Sequence, residues 1–179
     1  LRDLTSLTLN LERWTLTSNS SLRSLGELLT GLPKLETLDL NMLFWFRNSS
    51  EGVIPFFESL GSLKKLTSLT LLIDGFLLIS EEDVRHLGSS LRQIPGLKTL
   101  RISLGLLECL GNRALRKIFE EGDSSENLTG IQLEWKHAER ISKKGAIGMI
   151  QKLKKINTLD TFEFENTKSK HVNDTVLLL

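Results

Sequence analysis

The chain repeats itself every 31 residues. The hexapeptide LTSLTL begins at Leu4 and returns unchanged at Leu66, two steps of that period later. At single steps, Leu7, Leu38, Leu69, Leu100, Ile131 and Phe162 form one column, and Leu9, Leu40, Leu71, Ile102, Leu133 and Phe164 form another. A third column, Leu4, Leu35, Leu66, Leu97, Leu128 and Leu159, is leucine throughout. A fixed period of this length implies stacked copies of one small supersecondary unit, each unable to bury its apolar side alone.

Two hydrophobic periodicities alternate within each unit. In LETLDL, Leu38 and Leu40 alternate with Thr37, Asp39 and Asn41, the period-two pattern of a short strand with one buried face. Leu22, Leu25, Leu29 and Leu32 are spaced three, four and three apart, which gathers them on one face of a helix. Val53, Phe56, Leu60 and Leu63, then Val84, Leu87, Leu91 and Ile94, repeat that face. Six strand columns and five helices are expected.

The helix starts are marked by chemistry. Ser18, Ser49, Ser80 and Ser142 share a column, interrupted by Gly111, and a serine oxygen there can accept from an unpaired first-turn amide. Ser80 with Asp83 has the spacing of a capping box, and Glu81, Glu82 and Asp83 suit the positive end of the helix dipole. Pro33 and Pro95 fall just beyond the expected helix ends. Gly122 and Ser125 replace the last two apolar positions of the helix beginning near Asn112, so the stretch EEGDSSEN is expected to be a loop.

These residues carry a resemblance. LPKLETLDL, LKKLTSLTL and IPGLKTLRI resemble the LxxLxxLxL core of leucine-rich repeats, and the 31-residue unit with a full helix is similar to the long, ribonuclease-inhibitor-like class. The resemblance implies an α/β fold: a right-handed leucine-rich-repeat solenoid, or horseshoe, of about six repeats with parallel inner strands and outer helices. It spans 1–179 as one domain, and the lack of a polar capping unit at either end leads us to expect an excerpt of a longer array with flanking repeats or domains. The resemblance narrows function only to a group that includes inhibitors, innate-immune sensors, GTPase activators and cytoskeletal proteins. The asparagine such repeats place three residues after the last strand leucine is replaced by Glu12, Leu43, Asp74, Gly105, Lys136 and Thr167. Other groups must therefore satisfy those turn amides.

Charge and motif content exclude more than they select. With 23 basic and 22 acidic side chains, no overall field favours nucleic acid or an anionic membrane. The longest apolar runs, such as Phe76 to Ile79, are far shorter than the roughly 20 residues that span a bilayer, so no membrane insertion is expected. Cys109 is the sole cysteine, which suits a reducing compartment and excludes an internal disulfide framework. The cytoplasm is accordingly the expected location, although sequons at Asn19, Asn48, Asn127 and Asn173 permit a secreted glycoprotein. No phosphate-binding loop, dinucleotide fingerprint, zinc-protease or nucleophile-elbow motif occurs. We expect no catalytic residues, no cofactor, no metal site and no small-molecule substrate. Cys109, His86, His137 and His171 are read as structural or surface residues.

Recognition is expected on the concave strand face. Its outward positions run from Ser6, Thr8 and Asn10 through Asp39, Leu72 and Arg101 to Glu134, Glu163 and Glu165, with Asp160 nearby. The first half is small and nearly neutral; the second is acidic and suited to a basic segment of a protein partner. Asp39, Leu72, Arg101, Glu134, Glu163 and Glu165 are the expected contacts of a non-catalytic scaffold or sensor arm. A GTPase-activator-type regulator using Arg101, or a structural spacer in a cytoskeletal or multisubunit complex, is the alternative. Trp14, Trp45 and Phe76 share a column and are expected to stack in the core. Lys143, Lys144, Lys152, Lys154 and Lys155, with Arg113, Arg116 and Lys117, read as a solvated helical face.

Overall fold

The computed structural model describes residues 1–14, 18–76, 78–104, 118, 127–134, 142–153, 156 and 158–165. Among them are six strands, β1 (Ser6–Asn10), β2 (Thr37–Asn41), β3 (Ser68–Leu72), β4 (Thr99–Ser103), β5 (Gly130–Glu134) and β6 (Thr161–Glu165). Four helices lie between them: α1 (Asn19–Thr30), α2 (Ser50–Leu60), α3 (Glu81–Leu91) and α4 (Lys143–Leu153). The helix expected near Asn112 and the EEGDSSEN loop lie outside the described residues, apart from buried Ile118 and exposed Asn127.

The strands form one all-parallel sheet in sequence order, β1-β2-β3-β4-β5-β6. Each neighbouring pair is in the same register: Leu38 lies beside Leu7, Leu69 beside Leu38, Leu100 beside Leu69, and Ile131 beside Leu100. The sequence period is thus the register of the sheet. A slip of one residue would turn every strand leucine to the other face.

Backbone bonding repeats at each step. The carbonyl ahead of each strand accepts two successive amides of the next unit: Thr5 O takes Glu36 and Thr37, Glu36 O takes Thr67 and Ser68, and Thr67 O takes Lys98 and Thr99, at 2.8–3.1 Å. Beyond the strands the ladder continues, Leu11 N donating to Asn41 O, Met42 N to Leu72 O and Ile73 N to Ser103 O. Asn10 and Asn41 turn their side-chain oxygens back to the amides of Glu12 and Leu43, each at 3.2 Å. In these two turns they serve in place of the missing asparagine column. The turns share a left-handed residue, Arg13 (φ 61°), Phe44 (φ 68°) and Gly75 (φ 92°). At Gly75 a Cβ would also lie 3.0 Å from Phe46 Cε1 and 3.1 Å from Phe44 Cα, so that turn needs glycine.

One face of the sheet carries the core. Leu38, Leu40, Leu69, Leu71, Leu100, Ile102, Ile131 and Leu133 form one cluster with Leu22, Leu29, Val53, Phe56, Val84 and Leu87 from the helices. Burial on this scale contributes roughly 1.5–3 kcal/mol per large side chain before entropy is charged.

The serine caps behave as expected, with one exception. Ser18 with Ser21, and Ser80 with Asp83, each close a reciprocal capping box, and Ser142 Oγ accepts from Gly145 N at 3.1 Å. Ser49 makes no side-chain cap bond; its Oγ accepts instead from Asn19 Nδ2 at 2.8 Å. Inside α2, Pro55 cannot donate to the carbonyl of Glu51. Arg23 Nε on α1 donates to that carbonyl instead, at 3.1 Å, so the defect in α2 becomes its link to the preceding helix.

Candidate interaction surface

Alternation along each strand turns every second side chain away from the core. On β1 these are Ser6, Thr8 and Asn10, all exposed; on β2, Thr37, Asp39 and Asn41 are half-buried, as are Ser68, Thr70 and Leu72 on β3. Asp39 and Leu72 therefore stand on the open face where the alternation places them. On β6, Thr161 and Glu163 are exposed, while the side chain of Glu165 lies outside the described residues.

The acidic end of the row differs from the sequence expectation. Arg101, exposed on β4, reaches diagonally to Glu134 on β5 and donates to one carboxylate oxygen from Nη2 at 2.6 Å and from Nε at 3.0 Å. Glu134 is only 7% exposed, so it is a paired, buried carboxylate rather than an open acceptor for a basic segment. Burial of a carboxylate is costly unless a charge-assisted partner offsets it, and Arg101 supplies that partner. The same edge is closed one strand earlier, where buried Ser103 Oγ donates to buried Asp74 Oδ1 at 2.6 Å. Glu163, by contrast, is exposed, and none of the described residues bonds to its carboxylate.

A shallow hollow of about 230 Å³ lies on the open face between β3 and β6. Gly130 forms part of its lining together with Thr99, Arg101, Gln132, Thr161 and Glu163. Hydroxyl, amide and charged side chains dominate its lining, and Leu69, Leu100 and Ile131 complete it over the hydrogen-bonded sheet. No group of three or more histidine, cysteine, aspartate or glutamate side chains that could hold a metal ion occurs among the described residues.

Several other residues singled out in the sequence are placed by the structure. Trp45 and Phe76 stack in the core with ring centroids 6.2 Å apart and planes 13° apart, and Trp45 Nε1 donates to Leu11 O at 2.8 Å. Trp14, in the same column, is 60% exposed and does not join that stack. Exposed Phe46 packs against Phe44, over whose ring the Arg13 guanidinium lies at 5.4 Å. Asn48 is fully buried, which removes it as a glycan acceptor, since a glycan requires surface. Asn19 is engaged with Ser49 through both ends of its amide; Asn127 is exposed and donates to Pro95 O. His86 is half-buried and bonded through Nδ1 to Glu58 at 3.1 Å. Lys144 is exposed on α4. Cys109, His137, His171, Asn173, Arg113, Arg116, Lys117, Lys154 and Lys155, and the side chains of Lys143 and Lys152, lie outside the described residues.

No helix among the described residues is long and apolar enough to cross a membrane. No protein-family model and no curated protein matches the chain.

Proposed function

We propose that this chain is a right-handed solenoid of the leucine-rich-repeat class, of about six 31-residue units, acting as a non-catalytic interaction module that binds a partner protein on its concave strand face. The common 31-residue register of five successive strand pairs supports the solenoid, and parallel crossovers are right-handed in nearly all known sheets. The observation that carries the binding role is the open face itself. All-parallel sheets are ordinarily covered on both sides, whereas here the side away from the core leaves Ser6, Thr8, Thr99, Arg101 and Glu163 exposed on a rigid ladder. A preformed surface of this kind binds with little ordering cost.

The expected partner presents a basic segment. Asp39, Glu163 and Glu165 are its acceptors and Leu72 an apolar contact, while Arg101 and Glu134 frame the site as a fixed ion pair. The test is capture from the native source followed by mass spectrometry, comparing wild type with Asp39→Lys/Glu163→Lys/Glu165→Lys. A partner held by wild type and lost by a variant that melts normally supports the reading. The same partners on both would remove the strand face as the binding surface.

A further inference from the structure

The outward residue that opens each strand is Ser6, Thr37, Ser68, Thr99, Gly130 or Thr161. Five of the six carry a hydroxyl on a Cβ; Gly130 carries nothing. Its backbone does not require glycine, because only Gly75 among the described glycines has a positive φ. The space is tight but not closed. A Cβ at Gly130 would meet Thr161 Oγ1 at 3.0 Å and Thr99 Cγ2 at 3.8 Å, and the nearer atom is a hydroxyl on an exposed residue that can rotate aside. A glycine in a strand weakens it and often marks a place where another molecule approaches the backbone closely.

The missing side chain coincides with the hollow. At about 230 Å³ it is smaller than the roughly 300–1,000 Å³ of a small-molecule site and suits a single side chain. Its two charged walls differ. Arg101 is already bonded twice to Glu134, so its charge is balanced, whereas Glu163 is exposed and bonded to none of the described residues, with exposed Asp160 next to Thr161. Counting Arg101, Glu134 and Glu163, the lining and its paired carboxylate sum to one negative charge, and the Gln132 amide and the threonine hydroxyls add neutral acceptors.

We propose that Gly130 opens a socket for one cationic side chain of the protein partner, lysine or arginine, which lies across the bare glycine and places its charge between Glu163 and Gln132. The socket rests on the reading of the open face as the binding surface and adds to it the residue that sets specificity. Gly130 is a positioning residue: it acts by absence.

The experiment is backbone amide shift mapping on the full chain, titrated with N-acetyl-lysine methylamide and, separately, N-acetyl-glutamate methylamide. Saturable shifts at Gly130, Gln132 and Thr161 with the lysine probe alone are expected. Gly130→Thr should weaken that binding at least fivefold while still unfolding cooperatively; Gly130→Ala, which adds only the Cβ, is the second variant should threonine perturb the strand. Glu163→Gln should weaken it as well. If both Gly130 variants bind the lysine probe as wild type does while Glu163→Gln does not, the socket is overturned and the charged face survives. A response to the glutamate probe at these amides, or no response to either, overturns the cationic socket, and partner capture by the charge-reversed face then decides the wider reading separately.

Discussion

The two faces of the sheet obey different rules. On the covered face, β2 to β5 each contribute a leucine or isoleucine at the same two positions, and neighbours in register are nearly interchangeable. On the open face, the middle position alone runs Thr8, Asp39, Thr70, Arg101, Gln132 and Glu163. Uniformity on one side follows from stacking, since every unit must present the same shape to the next. Variation on the other is tolerated because those side chains meet solvent, and it is there that a sequence can encode a partner. Adjacent residues of one strand thereby carry opposite duties. Leu71→Ala, at a fully buried position, should cost about 2–5 kcal/mol, whereas Thr70→Ala beside it should change stability by no more than about 0.5 kcal/mol. Chemical denaturation of the two variants measures the contrast directly.

The covered side holds one residue that breaks its own rule. Asn48 is fully buried and neither end of its amide is hydrogen-bonded within the described residues, although the equivalent residue one period later is buried Ile79. An unsatisfied buried amide is destabilising, so Asn48→Leu, close to it in shape, should raise stability by about 1–2 kcal/mol in the same assay. A loss instead would mean that the amide has a role the covered face does not explain.

The open side breaks its rule in the other direction. Arg101 and Glu134 stand in the variable row yet form a half-buried ion pair. Surface pairs contribute little and broken buried pairs cost several kcal/mol; with Arg101 44% exposed, a coupling of about 1 kcal/mol is expected from a double-mutant cycle of Arg101→Ala and Glu134→Gln. Zero coupling would return both residues to the solvated row.

These exceptions mark where the sequence was and was not legible. The strand register, the core face, the Ser80 box and the stacked pair Trp45 and Phe76 all follow from columns, because a column is what straight stacking repeats. The Arg101 pair does not, since a long guanidinium reaches diagonally, one strand over and two residues along. Nor does the bond from Asn19 to Ser49, whose donor belongs to the preceding unit. Gly130 is legible as the bare position in a hydroxyl column; the hollow there arises only from how four strands pack side by side. The sequons at Asn19 and Asn48 are visible as triplets, but neither burial nor engagement is.

Trp14 is the smallest and most pointed test of how far a column predicts a role. It shares its column with Trp45, and by period alone the two should be equivalent. Trp45 is sealed by Phe76 on one side and donates to Leu11 O on the other, so its contribution comes from contact with both neighbours. Trp14 keeps its ring 60% exposed, and an exposed ring gains little from the hydrophobic effect however its column is filled elsewhere. Trp14→Ala should therefore shift the unfolding free energy by no more than about 0.5 kcal/mol. A markedly larger loss in this same chain would show that Trp14 is covered in solution by something that buries it as Phe76 buries Trp45. The column would then be the better guide to Trp14 than its exposure here.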